Sequence, residues 1–268
     1  MKLYRYEKEL EGVVSYIQYH LDRPLSLSEI ANYAGYSPYH FTRIFKEKIG
    51  VSPFYYISSL RMQQAKKMLL DTNFPVRDIG LNIGQQSLGT FTTQFTKRVG
   101  MTPSAFRKST QMVNEDFPSL KQMNQWSLSK LPNSIDNRIE GIVESEVPIE
   151  GVIFIGLFAK PVPEGLPLYG TLLSSEGSFC FKNVNPGMYY LMATSVSWEM
   201  ESSDVLLPEK TLRFRSHQPI IVKDCFSVPF QQVTLRPPLL DDPPILVSLP
   251  LLMRIFLKDI TAIDKKSR

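Results

Sequence analysis

Apolar positions along residues 7–108 recur at three- and four-residue spacing, the period of amphipathic helices, and the breaks between runs fall at Ser, Pro and Gly. Ser26 with Glu29 close behind it marks a helix start, Gly50 and Gly100 mark helix ends, and Pro53 and Pro103 open the helices that follow. Between residues 109 and 137 the pattern turns polar, which predicts a linker holding one short helix. From residue 138 the period changes to short β-branched and aromatic runs between turn signals. Strands are expected at 152–159, 178–184, 188–196, 211–214, 220–223 and 232–235. In Asn183-Val184-Asn185-Pro186-Gly187 a type II turn is expected, with Pro186 presetting φ at its second position and Gly187 taking the positive φ at its third. Residues 249–260 are apolar enough for a docking helix, and apolar on enough sides to suggest a dimer contact. The expected fold is an α + β two-domain chain. An all-α domain at 1–110 precedes a linker at 111–138 and an all-β sandwich at 139–268 with an apolar C-terminal tail.

The first hundred residues repeat. At an offset of 49, Glu29, Ile30 and Gly35 fall on Asp78, Ile79 and Gly84. One inserted residue later, Ser37, Phe41, Thr42, Phe45, Lys48, Gly50 and Pro53 fall on Ser87, Phe91, Thr92, Phe95, Arg98, Gly100 and Pro103. Each copy reads helix, tight turn, helix. In the second helix of the first copy (37–49), Phe41, Ile44, Phe45 and Ile49 share one face, and Tyr39, Thr42, Arg43 and Lys46 the other. An outward face with a ring, a hydroxyl, a guanidinium and an ammonium suits a helix lying in a DNA major groove, where arginine bonds guanine O6 and N7 in bidentate fashion. In the second copy (87–99), Leu88, Phe91, Phe95 and Val99 form the expected buried face, and the outward positions hold Gly89, Thr92, Thr93 and Thr96. Threonine supplies no bidentate guanine contact, so the first copy is expected to read bases and the second to hold the backbone. Lys97 and Arg98 are candidates for added phosphate contacts, Arg98 equally for packing by its stem.

Charge sharpens this picture. The net charge of +4 divides unevenly, with 15 Lys+Arg against 8 Asp+Glu in residues 1–111 and 15 against 18 in the rest. A basic first half implies a polyanionic partner. Cys180 and Cys225 show no metal-ligand spacing and are expected as reduced thiols, with a single disulfide left open. His20, His40 and His217 stand far apart, so no metal or other cofactor is expected. No base is placed near Cys180, so no catalytic residue and no enzyme is expected. The N-terminus lacks a signal-type apolar stretch and no run reaches membrane length, so a cytoplasmic protein without a membrane partner is expected.

Residues 11–108 resemble the DNA-binding domain of AraC/XylS-type transcriptional regulators, in which two helix-turn-helix units are joined by a long helix. The resemblance is carried by Leu27-x-x-Ile30-Ala31-x-x-Ala34-Gly35-Tyr36-Ser37, Phe41-x-Arg43-x-Phe45-Lys46 and Gly50-x-Ser52-Pro53. It continues through Arg61-x-x-x-Ala65-x-x-x-Leu69-Leu70, Ile79-Gly80-x-x-x-Gly84, Phe91-x-x-x-Phe95-x-x-x-x-Gly100-x-x-Pro103 and Phe106-Arg107. It implies base-reading at Tyr39, Thr42 and Arg43 and at Leu88, Gly89, Thr92 and Thr93. It also implies phosphate contacts or helix-bracing pairs at Arg61 and Arg107. The chain departs from the family at Thr93 (usually arginine), Thr96 (usually lysine), Gly80 (usually alanine) and Gly84-Gln85 (usually Gly-Phe), and in carrying this domain first. Residues 139–268 weakly resemble carboxypeptidase-regulatory and transthyretin-like β-sandwiches, through Gly177-Ser178-Phe179-x-Phe181-x-Asn183-Val184-x-Pro186-Gly187-x-Tyr189-x-Leu191. The implied partners are double-stranded DNA across two successive major grooves, a small-molecule effector and a second copy of the chain through 139–268. The alternative is a non-enzymatic DNA-binding scaffold whose sandwich binds a protein.

Overall fold

A computed structural model describes residues 2–85, 87–123, 137–223 and 227–266. The chain forms two units: residues 1–107 with 239–246, and residues 108–238 with 247–268. Cys225 lies outside the described residues, as do residues 124–136 of the stretch expected to be a linker.

The first unit holds α1 (Lys2–Tyr19), α2 (Leu27–Tyr33), α3 (Pro38–Ile49), α4 (Pro53–Asp71), α5 (Val76–Asn82), α6 (Leu88–Val99) and α7 (Pro103–Arg107). The sequence repeat is a repeat of hydrogen bonds. Gly35 and Gly84 take φ of 74° and 84°, a region only glycine enters cheaply, and this turns α2 toward α3 and α5 toward α6. Across these turns Tyr36 N–H donates to Ala31 O at 2.9 Å and Gln85 N–H to Gly80 O at 2.9 Å. Ser37 Oγ accepts from His40 N–H and Ser87 Oγ from Thr90 N–H, at 3.4 and 3.1 Å, capping α3 and α6. Both helices end on a left-handed glycine, Gly50 and Gly100. The repeat extends to packing. Phe41 and Phe45 lie 5.5 Å apart and Phe45 and Tyr56 5.6 Å, and at an offset of 50 Phe91, Phe95 and Phe106 stand 5.6 and 5.7 Å apart. All six rings are buried.

Gly80 is where α5 meets α6. A Cβ there would come within 2.9–3.0 Å of Phe91 Cγ, Cβ and Cδ1, the root of a buried ring that cannot swing aside. Gly80→Ala should therefore destabilise the first unit by about 1–2 kcal/mol, because overpacking outweighs the gain in helix propensity of up to ~1 kcal/mol. Chemical denaturation of the variant checks this, and a stabilised variant would contradict the packing.

The second unit begins with α8 (Thr110–Gln122), continues through β1 (Ile139–Ser145), β2 (Gly151–Phe158), β3 (Tyr169–Leu173), β4 (Gly177–Phe181), β5 (Gly187–Ser197), α9 (Ser202–Leu206), β6 (Arg213–Arg215), β7 (Ile220–Val222) and β8 (Gln231–Leu235), and ends in α10 (Leu249–Lys266). One sheet has the order β4-β1-β8 and the other β3-β2-β5-β6, with β7 also paired to β5. Ile139, Val143, Phe179, Phe181, Val233 and Leu235 of the first sheet and Ile153, Ile155, Leu157, Leu191 and Ala193 of the second form one buried cluster. An all-helical helix-turn-helix region is thus followed by a sheet-rich one.

The helix expected within the linker stretch is α8, and it is pinned to α10: Arg254 donates from Nε to Asp116 Oδ2 at 2.8 Å and from Nη2 to Glu115 Oε2 at 2.9 Å. Three expectations need correction. The boundaries differ from the expected 1–110 and 139–268, because residues 239–246 belong with the first unit. Strands β1 and β3 were not expected, because Gly141 and Gly170 interrupt the β-branched pattern. At Gly141 a Cβ would meet Gln231 O at 2.1 Å, so the strand squeezed between β4 and β8 takes glycine. Finally, the positive φ near the β4–β5 turn is at Asn183 (53°) and not at Gly187. Tyr169 Oη accepts from Asn185 N–H at 3.0 Å and Tyr189 Oη donates to Asn185 O at 2.7 Å, so side chains from two strands clamp the turn.

Cys180 is a half-buried free thiol on the face of β4 opposite buried Phe179 and Phe181. Leu249, Met253 and Phe256 of α10 are buried, whereas Ile255 is exposed.

Candidate nucleic-acid interface

Helix α3 buries Phe41, Phe45 and Ile49 and turns Tyr39, Arg43 and Lys46 to solvent, with Thr42 half-buried between them. Tyr39 is 83% exposed. Thr42 donates its hydroxyl proton to Pro38 O at 2.8 Å, which leaves its oxygen as an acceptor. Arg43 is held on both sides. Its Nη1 lies 3.7 Å from Glu47 Oε2, and its Nη2 lies 3.5 Å from His40 Nδ1, whose ring stands edge-on to Tyr36 at 5.2 Å. Glu47 was not among the expected site residues, although its spacing of four from Arg43 on a basic face was the signal.

Helix α6 presents Leu88, Gly89 and Thr93 to solvent, with Thr92 and Thr96 half-buried. Leu88 was expected on the buried face and is 47% exposed. It is the first residue of the helix, and a Cβ tilted toward the N-terminus carries the side chain past the core that Phe91 fills. Nothing lies within 4 Å of a Cβ built on Gly89. Thr96 donates to Thr92 O at 2.7 Å, so its proton is already engaged.

Arg98, Arg61 and Arg107 are braces. Arg98 is buried, donates to the hydroxyls of Ser58 and Ser59 on α4, and lies 5.0 Å over the Tyr55 ring. It is not available to a phosphate. Arg61 donates from Nε to Leu21 O at 3.3 Å and from Nη2 to Arg23 O at 2.8 Å, fastening α4 to the loop before α2. Arg107 donates to Leu69 O and Phe74 O, fastening α7 to the end of α4. Of the two roles the resemblance allowed for Arg61 and Arg107, these geometries use the guanidinium groups for bracing.

The loop that Arg61 holds also steadies α2. Arg23 and Tyr16 both donate to Glu29 Oε1, and Arg23 Nε donates to His20 Nδ1 at 3.2 Å. The hydrogen bonds from Arg23 and then Tyr16 hold the Glu29 carboxyl at a pKa of about 2, below its ordinary 4.5. A carboxylate depressed in the folded state stabilises fully above its unfolded pKa, and the contribution fades as pH falls from about 4.5 toward 2. Glu29→Gln should flatten the acid limb of the stability profile across that window. NMR titration of Glu29 with a midpoint above 4 would contradict this reading.

Residues 30–109 match the model of the helix-turn-helix domain family. They form an AraC-type helix-turn-helix domain. The AraC-type domain is 80 of the chain's 268 residues and contains both α3 and α6. The chain is similar to the HTH-type transcriptional regulator YobQ of Bacillus subtilis, 35% identical over 96 residues that cover 36% of this chain and 40% of the relative. It is also similar to the bifunctional transcriptional activator/DNA repair enzyme AdaA of the same organism, 35% identical over 100 residues, covering 37% and 47%. A solved AraC-type regulator from Chromobacterium violaceum is 30% identical, covers 39% of this chain and 93% of that one, and has a TM-score of 0.37. The matches thus span less than half the length of these curated relatives. Among the described residues no group of His, Cys, Asp or Glu is placed to hold a metal ion, and no helix is long and apolar enough to cross a membrane.

Proposed function

We propose that this chain is a sequence-specific, DNA-binding transcriptional regulator acting in the cytoplasm. Helix 37–49 reads bases through Tyr39, Thr42, Arg43 and Lys46. Helix 87–99 positions the protein on the backbone through Leu88, Gly89, Thr92, Thr93 and Thr96. The observation that carries this reading is the pair of similarly capped helices, of which one turns an exposed tyrosine, arginine and lysine outward at the positions where the other has Gly89, Thr93 and Thr96. The names of the similar proteins, transcriptional regulators and activators, support it. Two such helices in one chain engage successive major grooves about 34 Å apart, so one protomer needs no palindrome. The operator is then asymmetric, with one well-specified half and one degenerate half. The two sheets of the second unit, with a common core, are read as a β-sandwich accessory domain that takes a small-molecule effector or a second copy of the chain.

The test is binding of the full chain to fragments of its flanking genomic DNA across a salt series with excess random competitor. A specificity ratio of about a thousand or more is expected. Salt-sensitive binding without preference would replace this reading with a non-specific scaffold.

A further inference from the structure

Lys66, in the middle of α4, is completely buried, and its Nζ donates to the carbonyls of Ile245 at 3.2 Å and Leu246 at 3.3 Å. These acceptors come from a segment that lies almost 180 residues further along the chain and belongs to the same unit as the helix-turn-helix pair. We propose that residues 239–246 are a strap that completes the DNA-binding unit and through which the rest of the chain controls the second helix-turn-helix. The control of DNA binding rests on the function proposed above; the structural role of the strap does not.

Three observations carry it. The first is the ammonium. A charged amine enters a protein interior only where oxygen acceptors replace its water, and two of those around Lys66 are strap carbonyls. The same Nζ stands 5.3 Å over the ring of Phe106, the last member of the aromatic triad that supports α6. Withdrawing the strap removes two acceptors from the ammonium beside that triad. The ring it faces belongs to the aromatic triad of the second copy.

The second is that the strap is built to be stiff. Asp242 N–H donates to Leu239 O at 3.1 Å, and Asp242 Oδ2 accepts from Leu239 N–H at 2.8 Å, which folds its start into a turn. Pro243 and Pro244 follow, both buried, with φ fixed by their rings. Ile245 and Leu246 are buried beside them at 7% and 1% exposure. Gln18 of α1 donates to Leu240 O at 3.5 Å, a further tie within the unit.

The third is that both ends are fixed in the second unit. Just before the strap, Arg236 and Arg213 exchange backbone hydrogen bonds at 2.8 and 3.2 Å at the end of β8. Just after it, Val247 N–H donates to Pro163 O at 3.0 Å and Ser248 leads into α10. A stiff segment held at both ends converts any change in the separation of β8 and α10 into tension on the carbonyls that Lys66 uses. An effector bound to the second unit therefore acts on the second helix-turn-helix by seating or unseating residues 239–246.

The experiment is hydrogen–deuterium exchange on the full chain, which needs no DNA, followed by footprinting on the best fragment. Ile245→Ala combined with Leu246→Ala removes the apolar anchor of the strap. Exchange in 60–71 and 103–107 should rise at least tenfold, with 27–49 and the sheets unchanged. Lys66→Met in that background, which needs no acceptor, should return exchange to within about threefold of the parent. The footprint of the double variant should lose the degenerate half of the site and keep the specified half. Unchanged exchange in 60–71 and 103–107, an equal rise in 27–49, or no rescue by methionine each overturns the proposal. If the double variant loses sheet protection as well, Leu246→Ala alone carries the same comparison. A tenfold rise with rescue, in a chain that binds no DNA fragment preferentially, would leave the strap standing and remove the proposed function.

Discussion

Replacing Arg43 by alanine should lower affinity for the specified operator half by roughly 5- to 150-fold, the equivalent of about 1–3 kcal/mol, with a much smaller loss on random DNA. Nothing else on the exposed face of α3 combines a planar fork of donors with access to solvent. Lys46 is a point charge, Tyr39 offers one hydroxyl, and the Thr42 hydroxyl proton is engaged by Pro38 O. The partners of Arg43 make the prediction sharper. Glu47 and His40 hold the guanidinium over the helix at modest distances, so it can be exchanged for a base edge without leaving a buried charge behind. Glu47 is also a negative charge facing a polyanion. Glu47→Gln should therefore raise affinity for random DNA and narrow the specificity ratio, the opposite signature to Arg43→Ala. Equal losses on operator and random DNA for Arg43→Ala, with a salt slope smaller by about one, would place this arginine on a phosphate and not on a base.

The largest effect on stability is expected at Phe95. Its ring is completely buried between Phe91 and Phe106, 5.6 and 5.7 Å from their centroids. Phe95→Ala should cost the first unit about 3–5 kcal/mol, the transfer free energy of a phenyl ring plus a cavity that two edge-on rings cannot collapse to fill. Phe45→Ala, its counterpart at an offset of 50, should cost about as much. The comparison is informative because stability lost at Phe95 also disturbs the ring under the Lys66 ammonium, whereas loss at Phe45 does not. Urea unfolding followed by a probe of the first unit, with exchange in the sheets as an internal control, measures both. A loss below 1 kcal/mol at Phe95 would show that the aromatic triad is not what holds α6.

Much of the first unit was legible in the chain because its organising signals are local. A serine cap, a left-handed glycine and an apolar stripe each act within one or two turns, and their recurrence at a fixed offset exposes the duplicated unit before any contact is known. Ser37, Gly50, Ser87 and Gly100 perform the capping roles that their residue types imply. Arg61, Arg98 and Arg107 were ambiguous for the opposite reason. A guanidinium at a helix surface can meet a phosphate or a carbonyl, and only the position of Leu21, Ser58, Ser59 and Phe74 in space decides which. Leu88 was misplaced because helical periodicity assigns a face but not the end of the helix, where the core has already run out.

By itself, then, the sequence determined two capped helix-turn-helix units, the difference in chemistry between their outward faces, and a change from helical to strand periodicity near residue 138. Tertiary structure alone decided that Gly141 belongs to a strand held between two others, that α8 is fastened to α10, and that residues 239–246 supply carbonyls to a buried lysine in a helix far earlier in the chain. The division follows from range. Caps, turns and periodicity act over a few residues and leave a readable pattern, whereas a buried charge, a glycine forced by a neighbouring backbone and a strap are defined by partners that no local pattern names.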